Sequence, residues 1–517
     1  MEKIAGKKTK ITKMNSSKQI KLGAVLSYAS IAFNIISGLV YIPWMVETIG
    51  KSQYGLYTLA NSVITLFLVD FGLSSATGRY LSKYIAAGDR AGAERFLGTI
   101  YKLYLILDAV IISVLTVLFF LIDKIYVNLT PTELTQFKVV YVISALFSVV
   151  NFPFVTFNGI LTAYEKFVPL KMADLLYRVF NIAFTVAALL MGFGLYALVT
   201  VHAVVGLLSL VYKFLAIRKN VPIKANYVST EKGIYREIFG FSLWITVASL
   251  AQRLIFNISP SVLGIVADSA EIAIFGVVTT IEGYAYTITT AISGLFMTRI
   301  AKILAGEQAK EGLNRLFVGV GRFQMAINGL IVAGFAVVGR HFIQLWMGEG
   351  YAQAYAGILL ILLPGLFYNP LQIANTTMVV EKKVKHVALV CVATGILNVA
   401  LSFPLSKVFG VTGACISICV AYCVRDVLLH IIYGRELALD MKGFAKECYG
   451  RTAVPILLTV ALGLVMNHFV PDAGWMVLIL KGSLVVVVYL LLIWLFGLRE
   501  QERSGIAHRV KGMLQRR

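Results

Sequence analysis

The chain has 517 residues, of which 58% are hydrophobic and only 14% charged, with a formal net charge of +21. A water-soluble fold of this size carries about 25% charged residues, so the composition excludes a soluble globular protein and points to an integral membrane protein. The basicity alone would admit nucleic acid as a partner, but the positions of the basic residues do not support one.

Residues 1–21 form a basic tail without the apolar core and small-residue cleavage site of a removable signal peptide, so the first span is expected to stay. The apolar runs that follow are each long enough to cross roughly 30 Å of hydrocarbon. Leu22–Val46, Tyr54–Ala76, Leu103–Ile122, Val139–Ala163, Phe167–Met191 and Leu195–Ile217 make a first set of six. Ile238–Val266, Ile272–Thr298, Phe317–Phe342, Tyr355–Val380, Val387–Val408 and Val411–Ile432 make a second. Ala453–Val470 and Val477–Leu498 complete the count, the last interrupted by Lys481. The expected fold is an all-α polytopic membrane protein of about 14 transmembrane helices. Its segments read as a basic cytoplasmic tail (1–21), an N-lobe (22–218), a cytoplasmic linker (219–237), a C-lobe (238–435), spans 13 and 14 (450–498) and a second basic tail (499–517).

With the segments alternating across the bilayer, 38 of the 47 Lys and Arg fall on the side that holds both termini. Six fall on the other side, and three, Arg178, Arg253 and Arg425, lie within spans. This bias follows the positive-inside rule and places both termini in the cytoplasm. The positive charge is therefore topology, with an attraction to anionic membrane lipid.

The two sets of six resemble each other. RYLSKYIAAGDRAGAERFLGTIYK from Arg79 aligns with RIAKILAGEQAKEGLNRLFVGVGR from Arg299, pairing Gly92 with Gly312, Arg95 with Arg315 and Lys102 with Arg322 at an offset of 220. Pro153 with Pro370, Asn158 with Asn375 and Asn181 with Asn398 share an offset of 217. Six is even, so both copies enter the membrane in the same direction: two six-helix lobes related by a parallel repeat, plus two C-terminal helices. Residues 79–98 and 299–318 alternate basic and apolar positions and are expected to form amphipathic helices on the cytoplasmic face.

No connection exceeds about two dozen residues, which leaves no room for a soluble catalytic domain. No phosphate-binding loop, dinucleotide fingerprint or HExxH stands in the chain, so neither enzyme activity nor a cofactor or metal is implied. Cys415, Cys419 and Cys423 share a helix face without His or carboxylate at ligand spacing, and read as small packing residues.

Ionisable groups within spans are costly and hence site candidates. Arg253 lies roughly 22 Å and Glu282 roughly 24 Å from the inner face at 1.5 Å per residue, level enough on neighbouring helices to pair; such a pair can be structural or functional. Asp174 and Arg178, four apart, share a face and can also pair. Arg425 and Asp426 are adjacent, point about 100° apart and are not expected to serve one face. His202 reads as a hydrogen-bonded packing residue. In VDFGLSSATGRY (69–80), Arg79 and its counterpart Arg299 read as basic anchors at the membrane interface. Asp70 is too far from Arg79 to pair along a continuous helix, and it remains a candidate for ion coupling. The small residues Gly72 to Gly78 suit close helix approach.

The run from Tyr41 to Tyr80 carries Pro43, the IG-x(4)-YG-x-Y turn at Ile49–Tyr57 and FGLSSATGRY. It resembles the opening of bacterial polysaccharide-unit flippases of the multidrug/oligosaccharidyl-lipid/polysaccharide exporter superfamily. The resemblance implies movement of an undecaprenyl-diphosphate-linked oligosaccharide from the inner to the outer leaflet of the cytoplasmic membrane by alternating access. Membrane lipids and other polysaccharide-assembly proteins would be its partners, and nucleic acid would not. A diphosphate in a low-dielectric cavity needs cations; Arg253 is the first choice, then Arg178 and Arg425. Relatives commonly place basic residues in the first span, and this chain has none there. An ion-coupled multidrug extruder of the same superfamily is the alternative, with Asp70, Asp108 or Glu282 as coupling carboxylate. A membrane glycan polymerase or ligase would be expected to have a sizeable outer loop, and the outer loops here are short.

Overall fold

The computed structural model describes residues 16–68, 72–228, 234–290 and 296–497, and every regular element among them is helical. The chain divides into two compact units, residues 1–246 and 247–517.

In the first unit, α1 (Ser16–Ile49) is followed by α2 (Lys51–Phe67), α3 (Leu73–Ala86), α4 (Arg90–Ile125) and α5 (Pro131–Asn151). Then come α6 (Thr156–Ala163), α7 (Phe167–Leu190) and α8 (Gly194–Asn220). α1 packs along α7, α7 along α8, α2 along α5 and α3 against α6. At the start of α5 the Thr130 backbone N–H donates to Glu133 Oε2 at 2.9 Å and the Glu133 N–H donates to Thr130 Oγ1 at 3.3 Å. These reciprocal bonds satisfy N–H groups that a helix start leaves open, and Pro131 occupies the first turn, where no donor is needed. The α3–α6 crossing rests on glycine: a side chain at Gly159 would collide with the Ser74 carbonyl oxygen and sit 2.8 Å from Thr77 Cβ. The close approach expected of residues 72–78 is thus made against α6.

The second unit holds the end of α9 (Ile234–Phe256), α10 (Ser259–Val266), α11 (Ser269–Thr290), α12 (Met297–Leu304) and α13 (Ala309–Met347). It continues with α14 (Gln353–Tyr368), α15 (Gln372–Val380), α16 (Val384–Glu436), α17 (Met441–Phe444), α18 (Arg451–Phe469) and α19 (Gly474–Leu492). α14 packs on α11 and α16, while α18 and α19 lie along α13. Lys481, which interrupts the last span in sequence, is buried and donates to Asp472 Oδ1 at 2.7 Å.

The repeat is visible in the breaks. α5 and α6 are one span parted by a single 3-10 turn, Phe152–Val155, at Pro153; α14 and α15 are parted likewise, at Asn369–Leu371, by Pro370. In both, proline has no N–H to give and its ring crowds the carbonyl one turn back.

Among the described residues, twelve helices are long and apolar enough to cross a membrane. Two features bring this to the fourteen expected. The 53-residue α16 is two spans, because Gly410 interrupts it at φ 57°, ψ −135°. A Cβ there would lie 2.6 Å from Glu271 Oε2, the same carboxylate oxygen that accepts the Val411 N–H at 2.6 Å and caps the second half. The second span is the other case, and it corrects the sequence reading of residues 69–80. α2 ends at Phe67 and α3 begins at Leu73, after Gly72 in a left-handed conformation (φ 65°). Asp70 itself lies outside the described residues.

The basic segments 79–98 and 299–318 are helix–turn–helix rather than separate surface helices: α3 turns into α4 at residues 87–89, and α12 into α13 at 305–308. Each lobe also takes back the chain that leaves its sixth span. In the first, Asn226 N donates to Glu94 O at 2.9 Å and Arg90 Nη2 donates to Pro222 O at 2.8 Å. A side chain at Gly98 would collide with the Asn226 backbone, so the small residue makes the seat. In the second lobe, Asp440 N donates to Asn314 Oδ1 at 3.0 Å, and Asn314 follows Glu94 by the repeat offset of 220.

Candidate functional site

α1 and α7 enclose a cleft of about 400 Å³ within the first unit. Residues 171, 174, 178 and 181 recur at the spacing that puts them on one helix face, and α7 turns that face into the cleft. α1 has no Asp, Glu, Lys, Arg or His from Leu22 to Val46 and contributes neutral groups only, among them Ser27, Ser30 and Asn34.

The charges are paired differently from the expected Asp174–Arg178 contact. Asp174 Oδ1 accepts from Lys213 Nζ at 3.2 Å, and Oδ2 lies 3.8 Å from Lys171 Nζ. Lys213, on α8, also donates to Asn158 Oδ1 at 3.1 Å. Arg178 lines the cleft with no ion pair or hydrogen bond to another side chain among the described residues. Two cations therefore pair with Asp174, and Arg178 adds a third beside them in the cleft. Sequence reasoning missed Lys213 by counting it with the basic residues at the membrane boundary, although it lies four residues inside the expected end of its span, Ile217. Its side chain turns inward and is only 13% exposed. The Asn181 side-chain oxygen is buried without a partner among the described residues, an acceptor available in the same cleft. Tyr177 is held by His202, whose Nδ1 lies 2.7 Å from the phenol oxygen, and the His202 ring packs edge-on to Phe147. This is the packing role expected of His202.

In the second unit the charges are packed away. Arg425 is 1% exposed, with its guanidinium 4.0 Å from the centroid of the Tyr368 ring and 3.8 Å from that of Tyr422. Its Nη1 donates to Gln252 Oε1 at 3.1 Å, and Gln252 Nε2 donates to the Tyr422 hydroxyl at 2.8 Å. Adjacency was expected to keep Arg425 and Asp426 apart, yet Arg425 Nε lies 3.4 Å from Asp426 Oδ1. The long side chain reaches back over its neighbour, which the Cβ directions alone do not show. Glu282, half-buried on α11, experiences the charge of Arg425. Arg253 is half-buried in the last turn of α9, beside Gln252. Arg79 and Arg299 are both exposed, as interface anchors would be, with Arg79 over the Tyr80 ring at 4.7 Å. Asp108 is 8% exposed, and its Oδ1 has no hydrogen-bond partner among the described residues. Among the described residues no group of His, Cys, Asp or Glu is arranged to hold a metal.

The first lobe thus offers an accessible polar cleft with excess positive charge, suited to a hydroxyl-rich anion; the second holds its arginine inside a closed packing unit. The family model described as polysaccharide biosynthesis protein matches residues 22–304. A curated relative from Shigella flexneri, described as "Putative O-antigen transporter", is 23% identical over 204 residues, 39% of this chain and 47% of the relative. That match spans about half the length of the relative. Among solved structures, the lipid II flippase MurJ in an inward closed conformation aligns with a TM-score of 0.70 at 13% identity, covering 92% of this chain and 98% of that one. An inward-facing multidrug resistance MATE family transporter of the MOP superfamily aligns with a TM-score of 0.65 at 13% identity, covering 81% and 99%. At these identities the two structures establish the fold.

Proposed function

The chain belongs to the polysaccharide biosynthesis protein family, and from that premise we propose that this multi-pass membrane protein is a flippase. Its cargo is an undecaprenyl-diphosphate-linked oligosaccharide, carried from the inner to the outer leaflet of the bacterial cytoplasmic membrane for cell-surface polysaccharide synthesis. Both termini lie in the cytoplasm, on the side that holds 38 of the 47 basic residues.

The observation that carries this reading is the α1–α7 cleft, lined by Lys171, Arg178 and Asp174, with Lys213 of α8 paired to that Asp174, so that three cations gather about one carboxylate. A diphosphate diester is doubly negative, matching the excess. Charge-assisted bonds to it strengthen as water is excluded. Arg178 supplies the planar fork that fits two phosphate oxygens. Lys213, held by Asn158 and Asp174, is placed in advance rather than recruited. Ser27, Ser30, Asn34 and Asn181 present hydroxyl and amide partners for the first sugar, while the polyprenyl tail stays in lipid. Exposing this cleft alternately to each side of the membrane moves the headgroup. Arg253 and Glu282 remain candidates for a second contact or for coupling, along with Asp70.

The test is deletion of the gene followed by analysis of lipid-linked intermediates. Lipid-linked oligosaccharide should accumulate on the inner leaflet and be cleared by the wild-type gene but not by Arg178→Ala/Lys213→Ala. Drug hypersensitivity without that accumulation would establish the multidrug extruder instead.

A further inference from the structure

In the second unit a groove of about 510 Å³ lies between α12 and α13. Arg299 and Arg315 line it; both are exposed, and neither has an ion pair or hydrogen bond to another side chain among the described residues. Phe296, Ile303, Leu316 and Val320 supply an apolar floor, and no acidic residue lines it.

The corresponding positions of the first lobe are filled differently. At the offset of 220, Ile300, Leu304 and Leu316 correspond to Tyr80, Tyr84 and Phe96 of the first lobe. There the Phe96 ring packs against both tyrosines, with centroids 5.8 Å apart in each case. Of the three, Leu316 lines the groove in place of the Phe96 ring, and the arginines stay: Arg299 corresponds to Arg79 and Arg315 to Arg95.

We propose that the α12–α13 groove binds an anionic phospholipid of the inner leaflet. The headgroup phosphate bridges Arg299 and Arg315, and the start of an acyl chain lies on the apolar floor. Two features select this ligand. Guanidinium groups without a protein counter-charge are matched by a phosphate, which accepts from their forked donors. A floor of Phe, Ile, Leu and Val offers nothing to a free hydrated anion but buries a hydrocarbon chain. The distribution of basic residues puts the groove at the cytoplasmic face, where anionic headgroups are available.

The experiment titrates purified full-length protein in detergent with phosphatidylglycerol, reading bound lipid by native mass spectrometry. Phosphatidylethanolamine is the zwitterionic control and inorganic phosphate the competitor. Phosphatidylglycerol should bind in preference, and Arg299→Gln/Arg315→Gln should weaken it about 30-fold, near fivefold for each basic residue removed. Arg79→Gln, in the ring-filled first lobe, should leave this binding unchanged. Both substituted arginines are exposed, so the double variant should keep the wild-type unfolding temperature. Equal binding of phosphatidylglycerol by wild type and double variant would overturn the proposal. So would equal retention of phosphatidylethanolamine, or displacement of the lipid by millimolar inorganic phosphate, which would mark a site for free phosphate.

Discussion

Arg425→Met separates packing from cargo contact in the second lobe. Methionine retains much of the side-chain bulk but removes the cation between the Tyr368 and Tyr422 rings, the donor to Gln252 and the counter-charge of Asp426, which is itself 4% exposed. Breaking a buried ion pair from one side costs about 3–5 kcal/mol because the remaining charge is stranded. Losing the two ring faces adds about 1–2 kcal/mol. The terms overlap, so a net loss of about 4 kcal/mol is expected. Arg425→Met/Asp426→Asn removes the stranded charge as well and should recover about half of that loss. Arg425→Lys keeps the charge but neither the planar stacking nor the fork, and should fall between. Unfolding in mixed micelles, with denaturant and heat, measures stability, while complementation of the deletion strain measures transport. A Met variant that unfolds like wild type but no longer transports would show that Arg425 contacts cargo, and would refute the reading of it as a packed structural cation.

Two further substitutions probe the framework and the cleft. Gly410→Ala places a Cβ at a left-handed φ of 57° and 2.6 Å from Glu271 Oε2, and should lower stability by about 2–3 kcal/mol with a matching fall in thermal midpoint. Asp174→Asn leaves Lys171 and Lys213 without their carboxylate and raises the positive excess of the cleft, so half-saturation by diphosphate-linked cargo should fall about fivefold in reconstituted vesicles.

Membrane spans, their number and the duplication were legible in the sequence because each follows from a long-range pattern: apolar length, basic-residue asymmetry, a constant offset. The boundary expected between Val408 and Val411 falls at the Gly410 break in α16. The division of the second span was not readable in the same way. Apolar length continues through residues 54–76 whether or not the helix does, and only Gly72 hints at the interruption. The charges were harder still. Counting residues along one helix pairs Asp174 with Arg178, but it says nothing of Lys213, 39 residues on and facing the same carboxylate from α8. Arg425 and Asp426 meet because a guanidinium on a four-atom stem is not confined to the direction of its own Cβ. Side-chain reach across helices is a tertiary property, and a single sequence does not encode it as a spacing.

The return of the chain onto Glu94 in the first lobe, and onto Asn314 in the second, bears on biosynthesis. Each clasp closes between its own lobe and the residues that directly follow that lobe's sixth span, so no residue of the other lobe is needed to make it. The first bundle can therefore be latched at its basic rim before any of the second is inserted, and domains that fold as units during synthesis avoid exposing half-formed surfaces to one another. A latch made within each half gives its six spans a local set of partners during synthesis.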